Sequence, residues 1–392
     1  MLMTRERNQP ATASNRSFAS NEIEVGVIDP HYNLERVSYG LSAPGFVYRK
    51  VRRIPIQKIE RRGTFWAYTP LILDRTASLM HTWNMIPLNA TRYVMSCEME
   101  LPRYLGRVHS WQTRFAQRSL ASPACRAVLS LSEIACEQAR EKYEELNFPS
   151  IREKIEVFRG AIKPSTSSEP RQPHHGPLRV LFVGRDAVRK GLIPTLDAID
   201  GLRRDGIDIQ LTVVSKLDVD DNYVFEQFAP DLGKLHQRLS STPWIRHVTE
   251  THNNEVRQMM RDHDLLILPT FDESLGWVMI EAGAEACPSI ATNVYAIPEL
   301  IDDGITGSLL NLPLNQDSRW VGLFMQGNQK RLAIEAANNS LRIQIADALQ
   351  QANNDRYELA ARGNRARAKI SALYNHDRAS EQLTRIYEHA IC

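Results

Sequence analysis

The 392-residue chain is poor in the features that mark a stapled or membrane-spanning protein. It has five cysteines, Cys97, Cys125, Cys136, Cys287 and Cys392, an odd and scattered set with no CxxC pair. That spacing argues against a disulfide framework and a structural zinc site, and leaves the thiols as small buried apolar groups. No window approaches the roughly 18 uninterrupted apolar residues of a membrane-spanning helix. The first twenty residues, MLMTRERNQPATASNRSFAS, lack the apolar stretch of a secretory signal, so the expected location is the cytoplasm. There is no repeat of solenoid period, and no P-loop with its glycine spacing and Lys-Ser/Thr pair.

What is present fits a soluble globular protein of two domains: 43% hydrophobic and 24% charged residues, enough to build a core in each half. The net charge of +2 hides an asymmetry. Residues 1–163 carry 24 Lys+Arg against 16 Asp+Glu, net +8, whereas residues 164–392 carry 24 against 30, net −6. A basic front half suits an anionic acceptor or an anionic membrane surface, or is only a solvated face. Nucleic acid is disfavoured, since a nearly neutral chain without a recognised motif lacks the electrostatic footprint. Within the front half, residues 49–62 (RKVRRIPIQKIERR) interleave cations with Ile54, Ile56 and Ile59 against one acid, Glu60. Two readings fit: a peripheral segment resting on an anionic leaflet, or an edge strand protected by charge.

Residues 1–20 read as a mobile tail and 21–163 as a first α/β domain. Residues 164–177, rich in Pro, Ser and charge, read as a linker, 178–375 as a second domain and 376–392 as a terminal helix. His174 and His175 lie in that linker, with no further ligands to argue for a metal. In the second domain, strands are expected at 178–183 (LRVLFV), 209–214 (IQLTVV), 247–249, 264–269 (DLLILP) and 288–292 (PSIAT). Helices are expected at 190–204, 254–262 and 277–286. The first domain alternates less cleanly, with strands at 78–82, 92–96, 127–130 and 154–158 and a helix at 132–146 behind a Ser132 N-cap. Strands alternating with helices at this spacing mean βαβ units and parallel sheets, whose ligands bind beyond the carboxyl ends of the strands.

Two places concentrate chemistry. The first is VGRDAVRKG, where Gly184, Arg185 and Lys190 follow a strand and open a helix. A guanidinium fork, an ammonium and the N–H groups of a helix start can bind a diphosphate, or can be solvated cations on a polar loop. The second is FDESLGWVMIEAGA, with Glu273 in the loop after a strand and Glu281 inside the next helix. Carboxylates so placed can accept hydrogen bonds from sugar hydroxyls while Gly276 lets a ligand approach the backbone, or they merely favour the helix dipole.

The joint order VGR-x4-KG, then ES-x-G-x4-EA, then SIATNVYAIPELIDDGITG resembles the donor half of retaining glycosyltransferases of the GT-B fold, family-four (group 1) type, over about residues 178–311. The resemblance implies an α/β chain of two Rossmann-like domains with parallel sheets facing a central cleft. It implies that Arg185 and Lys190 bind the donor diphosphate, Glu273 contacts the transferred sugar and Glu281 holds the ribose. Gly184, Ser274, Leu275, Gly276 and Trp277 would supply further donor contacts. The family usually shows Gly-Phe-Gly after the first Glu, where this chain has Ser274-Leu275-Gly276. The first half resembles the family weakly. The usual N-terminal Gly-Gly loop is not visible, with Gly40 or Gly45 as substitutes, and Cys97-Glu98 stands where many relatives place a histidine. That makes Glu98 the candidate cleft residue, while His81 reads as structural. Asp218-Val219-Asp220 is a DxD by letters only, and no metal or other cofactor is expected. The expected partners are a nucleotide-sugar donor, a glycan or lipid-linked acceptor and an anionic membrane surface. A nucleotide-sugar epimerase of the same architecture and a degenerate sugar-nucleotide-binding partner protein stay open as alternatives.

Overall fold

The computed structural model describes residues 22–29, 41–54, 69–74, 76–99, 101, 110–217 and 224–392. The expected tail, Gly40 and the Asp218–Asp220 triplet lie outside the described residues. So does everything after residue 54 in the basic stretch 49–62. The chain forms two compact units. One is Lys163–Leu373, and the other joins the described residues up to Ile162 with Tyr374–Cys392.

The first unit is built on β1 (Ile23–Asp29), β2 (Phe46–Arg52), β3 (Leu79–Trp83), β4 (Tyr93–Cys97), β5 (Cys125–Ser130) and β6 (Ile155–Val157). Every pairing is parallel and the order is β2-β1-β3-β4-β5-β6. That is the flavodoxin-like order 2-1-3-4-5 extended by a strand, with its switch point between β1 and β3. β3 and β4 are buried along their whole length, as a central strand covered on both faces must be. One face packs Met80, Met95 and Val128 beneath α1 (Ser110–Ala121) and α2 (Glu133–Glu145), with the short α3 (Pro149–Arg152) following. Ser132 caps α2 by accepting from the Ala135 N–H at 3.3 Å, as its sequence position suggests.

The second unit has β7 (Leu178–Val183), β8 (Ile209–Val214), β9 (Ile245–Val248), β10 (Leu265–Leu268), β11 (Ser289–Thr292) and β12 (Gly307–Leu310). Its order, β12-β11-β10-β7-β8-β9, is the Rossmann arrangement 3-2-1-4-5-6 read from the other edge, all parallel, and it switches between β7 and β10. The connecting helices are α4 (Leu192–Arg204), α5 (Leu232–Ser241), α6 (Asn253–Asp262), α7 (Trp277–Ala284) and α8 (Ile297–Leu300). α9 (Gly327–Asn354) and α10 (Arg356–Leu373) complete the unit. Residues 164–177 connect the units but are not loose. Arg171 donates to the carbonyls of His263 (2.6 Å) and Met260 (2.7 Å), and Ser165 donates to the buried Glu285 (2.5 Å). Glu285 also takes Arg257 and Arg261, a charge cluster with no sequence signal because its members come from three segments.

The last helix, α11 (His376–Ile391), belongs to the first unit. Its Leu383, Ile386 and Tyr387 cover the other face of that sheet, against Val25, Leu79, Val94 and Leu129. The described part of the basic stretch is the edge strand β2, where Arg49 is neutralised by Glu24 (3.0 Å) and Asp74 (2.9 Å). That is the edge-strand reading, for the residues that are described.

Candidate functional site at the second switch point

The loop after β7 and the loop after β10 leave neighbouring strands at the point where the strand order reverses, where a doubly wound sheet opens a crevice. Gly191 has φ +83°, and a Cβ there would stand 2.2 Å from the Pro269 carbonyl, so only glycine lets the two loops pack this closely. It also delays the helix: α4 starts at Leu192 and Lys190 lies in the loop, whereas the sequence pattern suggested a helix from Lys190. Likewise α7 ends at Ala284, two residues earlier than expected, and Ala286 turns to φ +54°.

The N–H groups of the first loop that lie nearest α4 are spoken for. Arg189 N–H donates to Asp186 Oδ1, Lys190 N–H to Asp186 O, Gly191 N–H to Val188 O and Leu192 N–H to Ala187 O, and Pro194 has none. The expected cradle of helix-start amides is therefore narrow at this loop, whose side-chain donors remain. Lys190 and Glu273 meet as a buried ion pair. Burial pulls the Lys190 ammonium below its ordinary range, partly offset by Glu273. Burial alone would raise the Glu273 carboxyl, but Lys190, Arg189 and the Ser274 N–H (3.1 Å) together hold it below the usual carboxylate value.

Beside this pair runs a second chain of charges that sequence reading missed. Arg189 binds Asp186 (3.1 Å) and donates to the Asp272 carbonyl (2.8 Å). Arg319, 47 residues downstream, grips the buried Asp272 carboxylate with two donors, at 3.2 and 3.0 Å. Lys190 and Glu273 are each the next residue after a member of this clamp. With these acids taken, Arg185 is exposed and its guanidinium has no partner among the described residues.

Gly276, φ +88°, precedes α7 as its N-cap, and its carbonyl accepts from the Met279 N–H at 2.9 Å and the Ile280 N–H at 3.3 Å. Leu275, Gly276 and Trp277 thus sit where Ser274 hands the chain to a helix N-terminus pointing into the same crevice. Glu281 lies one turn in and accepts from Asn253 at 3.2 Å. Burial raises its carboxyl above the ordinary value, only partly countered by Asn253 and Arg257. The fold therefore brings together Gly184, Arg185, Lys190, Glu273, Ser274, Leu275, Gly276, Trp277 and Glu281 along two loops of one sheet edge. Glu98 belongs to the first unit, at the carboxyl end of β4, with its N–H on Asn84 Oδ1 at 3.1 Å. His81, in the same unit, is fully buried between Tyr387 OH (2.7 Å) and Ser96 Oγ (2.9 Å), as a structural histidine should be.

Residues 177–318 match the family model described as Glycosyl transferases group 1. Among curated proteins, the chain is 26% identical to a glycogen synthase of Mycobacterium tuberculosis over 208 residues, 53% of this chain and 45% of that protein. It is 30% identical to a D-inositol 3-phosphate glycosyltransferase of Paenarthrobacter aurescens over 165 residues, 42% of this chain and 36% of that one. The chain thus spans less than half the length of these curated relatives. Among solved structures, Alr3699/HepE of Anabaena, crystallised with UDP, superposes over 93% of this chain and 99% of its own, with a TM-score of 0.59 at 11% identity.

Proposed function

With the second unit carrying a glycosyl transferases group 1 domain over residues 177–318, in a chain of two Rossmann-like units of the GT-B fold, we propose that this protein is a glycosyltransferase. It moves a sugar from a nucleotide-sugar donor to an acceptor hydroxyl of a glycan or glycolipid, with retention at the anomeric carbon and without a catalytic metal. The observation that carries this reading is the uncompensated Arg185 beside the Lys190–Glu273 pair at the β7/β10 switch point. UDP in the HepE structure and the glycosyltransferase names of the relatives support the donor class.

The residues divide the work by chemistry. Arg185 offers a forked pair of donors to the diphosphate, and Lys190 a point charge. Cations fixed where the leaving phosphate gains charge lower the barrier to its departure. Glu273, kept ionised by Lys190, accepts hydrogen bonds from hydroxyls of the transferred sugar. Glu281, whose carboxyl is raised by burial, pairs with ribose hydroxyls as acceptor and, when protonated, as donor. The acceptor hydroxyl approaches the face the nucleotide leaves, and the leaving phosphate takes its proton. In this reading the cationic loop performs the charge neutralisation that a metal would otherwise supply.

The test is nucleotide release from a panel of nucleotide sugars, with and without acceptor sugars and in excess chelator, with product configuration read by NMR. Acceptor-dependent release of one nucleotide, an unchanged anomeric configuration and indifference to chelator are expected. Inversion, or activity abolished by chelator and restored by magnesium or manganese, would overturn the mechanism. Donor turnover without transfer would favour the epimerase.

A further inference from the structure

Donor binding asks Lys190 to face a diphosphate and Glu273 to face a sugar, yet in the structure the two bind each other. Lys190 Nζ pairs with Glu273 Oε2, and the Ser274 N–H takes the other oxygen, Oε1, at 3.1 Å. Each oxygen of the carboxylate therefore has a protein donor. The two side chains are only 12% and 16% exposed. With so little water around them, opposite charges attract more strongly than in a surface ion pair.

The backbone sets this pairing up. Gly184 follows β7, and a Cβ there would stand 3.0 Å from Lys190 Cγ and 3.3 Å from Lys190 Cβ. The lysine stem runs through the notch that the missing side chain leaves, and its ammonium arrives at Glu273. The neighbouring acids are held by other cations, Asp186 by Arg189 (3.1 Å) and Asp272 by Arg319 (3.0 Å). The exposed Arg185 guanidinium, without a partner among the described residues, can meet an anion and break no ion pair in doing so. Lys190 cannot.

We propose that the Lys190–Glu273 pair is a latch that lets this protein hold a nucleotide sugar and shed the nucleoside diphosphate left after transfer. The inference rests on the donor-site reading and adds how the two forms of the nucleotide are told apart. A diphosphate competes with Glu273 for the ammonium. A nucleotide sugar that draws Lys190 away gives Glu273 a hydroxyl donor in exchange. A nucleoside diphosphate draws the same cation and brings no sugar hydroxyl, so a buried carboxylate is left short of a partner. Arg189 and the Ser274 N–H also hold the Glu273 carboxyl down, so it stays an acceptor as the lysine turns. Closure of the pair thus opposes the spent nucleotide and not the intact donor.

The test is calorimetric titration of the full chain, at alkaline pH, with UDP, GDP, ADP and dTDP and with their glucose, mannose and N-acetylglucosamine conjugates. The nucleotide that binds is carried through the variants. Glu273→Gln keeps the size and loses the charge. It should bind the nucleoside diphosphate about ten-fold more tightly and the nucleotide sugar about ten-fold more weakly, as for one hydrogen bond to a charged group. Glu273→Asp withdraws the carboxylate and keeps its charge, and should tighten the nucleoside diphosphate in smaller measure. Lys190→Gln should weaken both ligands, and in that background Glu273→Gln should no longer tighten the nucleoside diphosphate. Unchanged affinities in Glu273→Gln, or equal weakening of both ligands, would overturn the latch and leave the donor site standing. So would a tightening that persists without Lys190, which is plain charge repulsion. No nucleotide bound by wild type, or binding untouched by Arg185→Ala, would instead overturn the donor-site reading and the latch with it.

Discussion

In the second sheet the charged residues stand on loops beyond the carboxyl ends of β7 and β10, whereas in the first sheet the polar residues stand on the strands themselves. Both are six-stranded parallel sheets with a reversal of strand order. At the second reversal, Lys190 pairs with Glu273, Arg189 with Asp186 and Arg319 with Asp272, which leaves Arg185 over. At the first, His81 on β3 faces Tyr387 of the terminal helix, which meets Tyr48 of β2 (3.2 Å), while Ser96 of β4 takes the other ring nitrogen. Burial depresses His81 to about 3 and pushes Tyr48 up to about 12. One network ends in a group available to a ligand, and the other closes on itself. Similar topologies thus end differently: the loops of one sheet leave a cation exposed, and the polar core of the other fastens α11 to its unit.

Breaking the open network should have the largest effect on turnover. Arg185→Ala and Lys190→Ala are each expected to lower kcat/KM by about two orders of magnitude or more, close to the ~2.7 kcal/mol of a lost transition-state contact. Arg185→Ala should leave the melting temperature unchanged because its side chain is exposed, so the two variants separate catalysis from folding. Near-normal steady-state kinetics in both would remove the site.

Arg319→Ala comes next. It touches neither Lys190 nor Glu273, yet it strips the buried Asp272 of a two-donor partner. Hydrogen bonds to a charged group contribute about 1.5–3 kcal/mol, a loss that denaturant titration will read. A fall of about ten-fold in kcat/KM should accompany it through the displaced loop, with partial return in Arg319→Lys. Unaltered kinetics alongside the lost stability would make the clamp purely structural.

How much of this was legible in the sequence follows the same divide. In the second unit the central strands carry apolar runs that stop at Gly or Pro, such as VLFV of β7 before Gly184 and LLIL of β10 before Pro269, and the expected elements lie within two residues of those found. The site loops were legible because Gly184, Gly191 and Gly276 flank their charges. In the first unit, β1 (IEVGVID) escaped notice, and β2 (FVYRKVR) was legible only as one of two readings of the basic stretch that begins at Arg49. Glu24, Gly26, Arg49 and Lys50 interrupt the apolar pattern, and β2 is an edge strand whose solvated positions take charge. The Arg319–Asp272 clamp spans 47 residues and the His81–Tyr387 contact 306, and pairings at such separation leave no local periodicity.

The closed network should show in the pH dependence of stability. The imidazole titrates near 6.5 when unfolded and near 3 when folded. Between those values the unfolded chain holds the extra proton, so stability rises with pH, by at most about 1.4 kcal/mol per unit. It is complete above about 6.5 and is lost as pH falls toward 3. His81→Asn should flatten that slope in urea titrations between pH 4 and about 6.5. An undiminished slope would mean that another group carries it.

The smallest effect is expected at Glu281. Its raised carboxyl means that the folded state holds the proton more tightly, so stability falls as pH rises through the window above the ordinary 4.5. Glu281→Gln removes that charge and should raise the melting temperature near neutral pH by a few degrees at most, while weakening the donor. A lower melting temperature would show that Arg257 and Asn253 stabilise the carboxylate more than burial opposes it.

The contrast between the two networks is tested most directly by nucleotide-sugar-dependent thermal stabilisation, compared in wild type, Arg185→Ala and His81→Asn. At 100 times its dissociation constant, the donor should stabilise the wild type by about 2.7 kcal/mol. His81→Asn should start from a lower melting temperature and keep that increment, whereas Arg185→Ala should keep the starting temperature and lose most of the increment. An increment preserved in Arg185→Ala and abolished in His81→Asn would place donor binding at the first sheet and contradict the assignment of the chemistry to the second.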